Sequence, residues 1–431
     1  MTIMPADNNS NLWAEDQLPL NVFFVITSMP VGGAEVLLCN LIRCMDRNRF
    51  TPHLVCLKEL GELGTQLATE VPNWHSLLRS KWDISILPRL TTVFREHRAT
   101  AVITVGAGDK MFWGRLAAKQ AKVPVICSAL HSTGWPDGVG KLNRLLTRWT
   151  DAFIAVAKAH GEFLSSFERF PANKVHVIPN GVDTQVFQPN TSMRRLIRRQ
   201  LQIPESSPLV GIVAALRPEK NHGLLVRSAV RVLTEHPECH FLIIGDGPER
   251  SHIEQLIADL GLQHRFHLLG NRHDTPHLLA ALDVFALCSL NEANPVSILE
   301  ALSTGIPVVS TDVGSIHETV LNAQNGFLVP SEDAVAFAAR ICELLRSPQQ
   351  ASKLGRNGRA HILGGWSLDA MVSGYENLIE QIYWQKQSRT PPARNNIPSA
   401  DTTSTKSVST DAQAVVLPSL PISPTNLQQH A

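Results

Sequence analysis

The feature that most constrains this chain is the alternation of short apolar segments with helical ones, which occurs in two successive series. Short, nearly continuous apolar runs are typical of strands buried on both faces of a parallel sheet. Helical segments between such strands supply the crossovers that parallel pairing requires. We therefore predict an α/β protein with two Rossmann-like domains, whose ligands gather at the carboxyl ends of the strands. The predicted strands are 21–27, 53–57, 100–105, 123–130, 151–157, 174–179, 208–216, 240–245, 265–270, 284–289, 306–311 and 327–330.

The length of the chain and its changes in composition predict how these series are divided. At 431 residues the chain exceeds what a single core usually supports. We expect a disordered leader at 1–20, an N-terminal Rossmann-like domain at 21–185, a C-terminal one at 186–365 and a helix at 366–387. Residues 388–431 are rich in Ser, Thr and Pro and contain no aromatic residue, which predicts a disordered tail.

The overall composition argues against several classes of protein. A net charge of +1 gives no basis for nucleic-acid binding over a whole surface. The seven cysteines include no Cys-x-x-Cys pair, which favours reduced thiols in the cytoplasm over a disulfide framework or a zinc site. The N-terminus lacks the pattern of a signal peptide, and no apolar run approaches the ~20 residues that span a bilayer. We expect a soluble protein that is at most peripheral to a membrane.

Two glutamates of the second series, Glu292 and Glu300, flank a predicted helix start. Asn294-Pro295 is a start signal, and 296–302 is an apolar run with helical character. A carboxylate inside an apolar helix is costly unless something binds it, so the stretch predicts a binding site. The alternative is that the helix dipole favours the first glutamate and that water solvates the second.

Three further features lie at the ends of predicted strands. Gly32 and Gly33 follow the first strand and precede a helix, where backbone amides can bind a phosphate, although any tight turn would also use glycine. His131 follows a strand of the first series, and the alternative is a solvated loop histidine. Arg217 and Lys220 follow the first strand of the second series, where two cations can bind a diphosphate or form part of a solvated surface.

A basic segment in the first series has two interpretations. Residues 111–149 carry many cations, and 141–149 is also amphipathic. Such a helix can lie on an anionic membrane or bind a phosphorylated acceptor. The simpler interpretation is a helix with a core stripe and a solvated basic face.

The order of these motifs resembles the retaining glycosyltransferases of family 4, which have the GT-B fold. The motifs are the Gly-Gly turn, the histidine, a Pro-Asn-Gly-Val-Asp turn, Arg-Pro-Glu-Lys, Gly-Asp-Gly-Pro and the paired glutamates, and the resemblance covers about 21–385. It implies a metal-independent enzyme without a cofactor that moves a sugar from a UDP- or GDP-sugar to a lipid-linked, polysaccharide or other glycan acceptor. It also implies a cleft between the domains and a helix at 366–387 that crosses back to the N-terminal domain.

The resemblance also implies roles for the donor-binding residues. Gly32 and Gly33 would face the donor phosphates from the N-terminal domain. Arg217 and Lys220 would bind the diphosphate and neutralise the charge that builds on the departing nucleotide. Glu300 would hold the hydroxyl groups of the ribose.

The remaining roles concern the sugar and the base. Glu292 would contact the transferred sugar, together with the backbone that follows it at Ala293, Asn294, Pro295 and Val296. His131 would lie near the reacting sugar, so that Glu292, His131, Arg217 and Lys220 form the expected catalytic group. Asn271 and Arg272 would flank the base.

Two departures leave questions open. Many members of the family follow the first glutamate with Gly-Phe-Gly, where this chain has Ala293-Asn294-Pro295, so the donor sugar is not defined. The chain contains no Asp-x-Asp, the motif that holds a divalent ion in other sugar transferases, which predicts no metal site. The alternatives are a nucleotide-sugar 2-epimerase of the same architecture and a non-catalytic nucleotide-sugar-binding protein.

Overall fold

The computed structural model describes residues 19–80, 83–131 and 140–389, which belong to one compact unit. The predicted leader at 1–18 and the predicted tail at 390–431 lie outside the described residues. The boundaries proposed at 185 and 365 stay predictions. None of the helices in the described residues is long and apolar enough to cross a membrane.

The first series of elements builds a sheet with helices on both faces. Its strands are β1 (Leu20–Ile26), β2 (Phe50–Cys56), β3 (Asn73–Trp74), β4 (Ala101–Val105), β5 (Val125–Ala129), β6 (Ala152–Ala155) and β7 (Val175–Val177). Its helices are α1 (Gly33–Cys44), α2 (Gly61–Leu67), α3 (Ile86–Glu96), α4 (Asp109–Ala121), α5 (Gly140–Leu145) and α6 (Lys158–Ser166).

The second series repeats this plan and ends in three long helices. Its strands are β8 (Leu209–Val213), β9 (His240–Ile244), β10 (Phe266–Leu268), β11 (Val284–Leu287), β12 (Val308–Thr311) and β13 (Gly326–Val329). Its helices are α7 (Thr191–Gln200), α8 (His222–Glu235), α9 (Arg250–Asp259), α10 (Thr275–Ala280), α11 (Val296–Ser303), α12 (Ile316–Thr319), α13 (Ala334–Arg346), α14 (Pro348–Leu363) and α15 (Leu368–Arg389).

The strands form two separate parallel sheets, which confirms the predicted α/β class. The first sheet has the order β3-β2-β1-β4-β5-β6-β7 and the second has the order β10-β9-β8-β11-β12-β13. The strand order reverses between β1 and β4 in one sheet and between β8 and β11 in the other. Loops diverge at such a reversal and leave a crevice at the carboxyl ends of the strands.

The predicted strands all occur, with small differences at the ends of the chain. Leu20, which the sequence assigned to the leader, is buried and pairs with Phe50 in β1. The last helix was predicted to end at 387, whereas α15 continues to Arg389. The strand β3 was not predicted, since two residues are too few to show a period.

The helix α15 packs on the first sheet although it ends the described chain. Its buried residues belong to the same apolar cluster as β1, β2, β4 and β5, and they are Leu368, Met371, Val372, Tyr375, Leu378 and Ile379. Two glutamates of α15 bind Arg49, with contacts of 3.1 Å from Glu376 and 2.5 Å from Glu380. The crossing predicted for 366–387 is therefore observed.

Candidate active site

The two reversal points carry most of the residues that the sequence singled out. The loop from β1 to α1 ends at Gly32 and α1 starts at Gly33, and the loops after β8 and β11 hold 217–220 and 289–295. The latter two loops are hydrogen-bonded to each other, because Leu290 N–H donates to the carbonyl of Glu219 at 2.8 Å. The site is thus built from strand ends in both halves of the chain.

Lys220 and Glu292 form an ion pair at the second reversal point. Lys220 Nζ lies 2.5 Å from Glu292 Oε1, and the hydroxyl of Ser289 donates to the same oxygen at 2.7 Å. The Glu292 side chain is almost fully buried and that of Lys220 is mostly so. Glu292 therefore lies in the loop before α11 as a carboxylate with two donors, and it is bonded directly to one of the cations predicted to bind the diphosphate.

The loop around Glu292 is held by close backbone contacts. Ser315 N–H donates to the carbonyl of Glu292 at 3.2 Å, and the Thr311 hydroxyl donates to the carbonyl of Ser289 at 2.6 Å. Gly314 has φ +57°, and a Cβ there would collide with the Glu292 carbonyl. Only glycine fits this backbone conformation and this close approach without strain.

Glu300 lies inside α11 in a different environment. Among the described residues, no donor or cation contacts its carboxyl. Burial raises the pKa of Glu300 to about 8, although part of its surface stays accessible. A carboxyl that is largely buried but still partly accessible to solvent can accept hydrogen bonds from hydroxyl groups of a ligand.

The glycine turn of the first half meets the start of α11 in the second. A Cβ on Gly33 would lie 3.8 Å from Val296 Cγ2, and Gly32 is the N-cap of α1. The carboxylate of Glu35 folds back over Gly32. Burial raises the pKa of Glu35, and the cations of Lys110 and Arg217 oppose that rise. The structure therefore brings an anion to the helix N-terminus that was predicted to bind phosphate.

The backbone of Asn294 also takes part in the contact between the two halves of the chain. The Asn180 side chain donates to the carbonyl of Asn294 at 2.8 Å, and both residues are buried. Among the described residues, the side-chain amide of Asn294 has no hydrogen-bond partner. A buried amide costs free energy when it is unpaired, so this group can accept and donate hydrogen bonds to a ligand at the contact between the two halves.

His131 lies at the end of β5, as predicted. Its Nδ1 is buried without a hydrogen-bond partner among the described residues. Burial lowers the pKa of His131 to about 4, with smaller contributions from His160 and Lys110. The ring is therefore neutral at pH 7 and can act as a hydrogen-bonding group. The residues after it, 132–139, lie outside the described part of the chain.

Three predicted residues are more exposed than the rest. The Arg217 side chain is 62% exposed and lies 4.0 Å from Glu219, so it is a solvated cation at the edge of the site. Asn271 and Arg272 are also exposed, and Arg272 forms a two-point ion pair with Asp274, with its closest contact at 2.6 Å. The geometry does not bring Arg272 to the Lys220–Glu292 pair, and its role at the base stays a prediction.

The basic segment of the first half has one buried and one exposed side. Leu146 is buried, whereas Leu145 is 57% exposed between the exposed Arg144 and Arg148. The guanidinium of Arg148 lies 4.3 Å from the centre of the Trp149 ring. The buried Leu146 and the exposed arginines agree with both interpretations, whereas the exposed Leu145 is the feature that a membrane contact would use.

Two family models match successive parts of the chain. The model described as Glycosyltransferase Family 4 matches 31–186, and the model described as Glycosyl transferases group 1 matches 193–361. Together these ranges include every strand of the two sheets except β1, and every residue predicted to form the site. The chain belongs to glycosyltransferase family 4.

Relatives of this family 4 chain extend over nearly its whole described length. An Escherichia coli UDP-Gal:alpha-D-GlcNAc-diphosphoundecaprenol alpha-1,3-galactosyltransferase is 29% identical, over 81% of this chain and 94% of the relative. A Corynebacterium glutamicum GDP-mannose-dependent monoacylated alpha-(1-6)-phosphatidylinositol monomannoside mannosyltransferase is 26% identical, over 70% and 83%.

Solved structures establish the GT-B fold. HepE from Anabaena, in complex with UDP and glucose, matches with a TM-score of 0.75 and 22% identity, over 84% of this chain and 100% of that chain. A glycosyltransferase from Rickettsia africae matches with a TM-score of 0.74 and 19% identity, over 84% and 98%.

Several residues of this family 4 site were not predicted. Ser289 is the last residue of the predicted strand 284–289, so its position at a strand end could have indicated it. Asn180 belongs to the predicted Pro-Asn-Gly-Val-Asp turn. Glu35 follows the glycine turn within one helical turn, and its place over Gly32 depends on the helix start. No local signal distinguishes Asn180 or Glu35 from ordinary surface groups.

Proposed function

We propose that this family 4 glycosyltransferase moves a sugar from a nucleoside-diphosphate donor, most simply a UDP-sugar, to a glycan or lipid-linked acceptor with retention of configuration. The observation that carries the proposal is the carboxyl of Glu300. It lies inside α11 without a partner among the described residues, and α11 begins at Val296, the residue that faces Gly33 of the glycine turn. Ribose hydroxyls would satisfy it.

The donor assignment has support from charge and from relatives. Arg217 and Lys220 offer two cations to a diphosphate, and the amide groups at the start of α1 offer donors. The Escherichia coli relative is named for UDP-Gal and the Corynebacterium relative for GDP-mannose. HepE was solved with UDP and with UDP-glucose.

The reaction needs one bond to break and one to form on the same face of the sugar. The bond from the anomeric carbon to the diphosphate oxygen breaks, and its electron pair leaves with the nucleoside diphosphate. The acceptor oxygen bonds to that carbon, and its proton passes to the departing phosphate oxygen. Lys220 and Arg217 stabilise the charge on the leaving group, as a metal ion does in other sugar transferases. Glu292 and neutral His131 orient the sugar.

The acceptor assignment rests on the basic surface of α5 and its neighbours. The two relatives named above act on a diphosphoundecaprenol-linked sugar and on an acylated phosphatidylinositol mannoside. Arg144, Arg148 and the exposed Leu145 would place the N-terminal half on the anionic inner face of a membrane, where such acceptors are found.

The donor is tested by a thermal-shift screen against UDP-, GDP- and ADP-sugars with wild type and Glu300→Ala. We expect one class of nucleotide-sugar to raise the melting temperature of wild type. The same ligand should raise the melting temperature of Glu300→Ala less, because the variant binds it about 10–100-fold more weakly. Equal binding by both proteins would remove the assignment of Glu300.

The reaction class is tested with the selected donor alone. A transferase gives slow hydrolysis, a 2-epimerase gives a new nucleotide-sugar, and a non-catalytic binding protein gives neither. When an acceptor is supplied, NMR of the product linkage should show the anomer of the donor, and an inverted anomer would refute retention.

The membrane contact is tested by flotation with vesicles that contain or lack phosphatidylglycerol. Reversing the charge of Arg144 and Arg148 should abolish binding to the anionic vesicles. The matched control reverses Arg195 and Arg199, which are exposed beside the 43% exposed Leu196 on α7 of the other half. If both double variants lose binding equally, the contact is general electrostatic attraction and the proposed surface is wrong.

A further inference from the structure

A carboxylate of the second half binds the start of a helix in the first half. Glu318 lies in α12, and its two oxygens accept from the backbone N–H groups of Lys158 at 2.9 Å and Ala159 at 2.7 Å. These are the first two residues of α6. A carboxylate at a helix N-terminus satisfies amides that the helix leaves unpaired, and it interacts favourably with the helix dipole.

The helix α6 has no side-chain cap of its own. Its N-cap residue is Ala157, whose side chain cannot accept a hydrogen bond. Serine, threonine, aspartate and asparagine are the usual residues at this position because their oxygens accept from the first turn. The cap of α6 is therefore supplied by Glu318, 160 positions along the chain from Lys158.

The elements on both sides of this contact are also connected to residues of the candidate active site. Ser315, three residues before Glu318, donates its N–H to the carbonyl of Glu292. In the other half, α6 carries the buried His160, which lies close enough to His131 to help lower the pKa of that residue. Glu318 thus connects the loop of the donor-site glutamate with the helix beside the acceptor-side histidine.

We propose that Glu318 is a positioning residue that fixes the two halves of the cleft against each other for transfer. This role rests on the proposed function, because it concerns the alignment of a donor held by one half with groups supplied by the other. Alignment of reacting groups contributes strongly to rate, and an error of about 1 Å can lower it about 100-fold. Glu318 acts through α6 and does not touch the substrates.

A second contact between the halves provides a matched control. Glu62 Oε1 lies 3.3 Å from His273 Nε2, and these side chains are 54% and 73% exposed. An exposed pair is screened by water and contributes little to holding two surfaces together. Glu62→Gln is therefore the control for Glu318→Gln, since both remove one glutamate charge from a contact between the halves.

The first measurement is hydrogen exchange of peptides that contain Lys158 and Ala159. First-turn amides without a cap are open to water, so protection of these two amides in wild type has to come from Glu318. We expect at least tenfold faster exchange in Glu318→Gln and Glu318→Ala and no change in Glu62→Gln. Glutamine keeps one accepting oxygen and the shape of the side chain, which separates loss of the contact from misfolding. Exchange at wild-type rates in both Glu318 variants would overturn the contact.

The second measurement separates positioning from binding. With UDP as the probe, we expect wild-type affinity in Glu318→Gln, because the donor-binding groups belong to the second half. Turnover with the donor selected by the screen should fall about tenfold or more in kcat, since a hydrogen bond to a charged group is lost. Unchanged kcat together with fast amide exchange would show a structural cap only and overturn the positioning role. Absence of UDP binding by wild type would refute the proposed donor class and leave the exchange result to stand alone.

Discussion

At the scale of single residues, the two glutamates of the site show how environment separates identical side chains. Glu292 accepts from Lys220 and Ser289, so its charge is satisfied inside the protein. Glu300 lies further along the chain, inside α11 among apolar groups, and burial raises its pKa to about 8. We infer that Lys220 and Ser289 already orient Glu292 before the sugar donor binds, whereas the Glu300 carboxyl ionises more readily once hydroxyl groups of a ligand donate to it.

The raised pKa of Glu300 predicts how stability depends on pH. In the unfolded chain this carboxyl has a pKa of about 4.5, and in the folded protein it is about 8. The folded state therefore binds the proton more tightly, so the stabilisation present below pH 4.5 is lost as the pH rises toward 8. We expect Glu300→Gln to be more stable than wild type by roughly 1–3 kcal/mol at pH 7.5 and nearly equal to it at pH 4.5. Urea unfolding at both pH values measures this, and a difference that does not vary with pH would contradict it.

Donor binding should couple to the same proton. Ribose hydroxyls that donate to the Glu300 carboxyl favour its ionised form, so binding of UDP at pH 7 should release part of a proton. Titration calorimetry in two buffers of different ionisation enthalpy measures the release. The Glu300→Gln variant should release none, and equal release by variant and wild type would assign the proton to another group.

The Lys220–Glu292 pair predicts a compensating double variant. Lys220→Ala leaves a nearly buried carboxylate with only the Ser289 hydroxyl, and we expect a loss of about 1–3 kcal/mol in the free energy of unfolding. Adding Glu292→Gln should restore much of that loss but not the activity. Guanidinium unfolding and donor turnover are the measurements, and additive losses of stability in the double variant would show that the pair is not coupled.

At the scale of elements, the backbone geometry of a loop limits which residues can occupy it as strictly as side-chain contacts do. Gly314 combines φ +57° with direct contact to the Glu292 carbonyl, whereas Gly261 has φ +70° with nothing near it, and Gly365 has neither constraint. Three alanine substitutions therefore separate the two effects. We expect Gly365→Ala to be neutral, Gly261→Ala to cost about 1 kcal/mol from backbone strain, and Gly314→Ala to cost more and to weaken turnover. Thermal unfolding and donor turnover test the series, and equal effects at Gly261 and Gly314 would show that the Glu292 contact is unimportant.

The elements could be predicted because each carries its own signal. The parallel strands are continuous apolar runs, and α11 has a start signal and an apolar run of its own. The strand β3 has only two residues and exists because it pairs with Leu54 and Val55 of β2, so its cause lies elsewhere in the chain. The ends of β1 and α15 depend on packing that the local sequence does not show.

At the scale of the whole molecule, strand ends could be located from the sequence but the contacts between them could not. The rule that ligands gather at strand ends selects Gly33 and Lys220, whereas Glu292 is selected by its position just before a predicted helix start. The bonds from Lys220 to Glu292 and from Glu318 to α6 depend on how distant loops and separate sheets face each other. Glu318 in particular has no motif of its own, and its role follows only from the meeting of the two halves.

The arrangement of charge across the molecule predicts independence from divalent metal. If the site holds a diphosphate as proposed, Arg217, Lys220 and the amides at the start of α1 would neutralise its charge in place of a bound ion. We expect transfer measured in excess EDTA to stay within about twofold of the rate with magnesium or manganese. Loss of activity restored by manganese would contradict this expectation.

A chelator could also act on a group of potential ligands elsewhere in the molecule. Glu235, His236 and Cys342 have ligand atoms within 4.8 Å of one another. Glu235 is the last residue of α8, His236 follows it, and Cys342 lies in α13. The 14 residues of α8 place this group roughly 20 Å from the Lys220 loop at the start of the helix. The control is therefore His236→Ala, assayed with and without EDTA. An effect of EDTA that disappears in this variant belongs to that group and leaves the metal-independent reaction intact. An effect that persists in the variant places the metal at the donor site and refutes the assignment of Arg217 and Lys220 as its substitute.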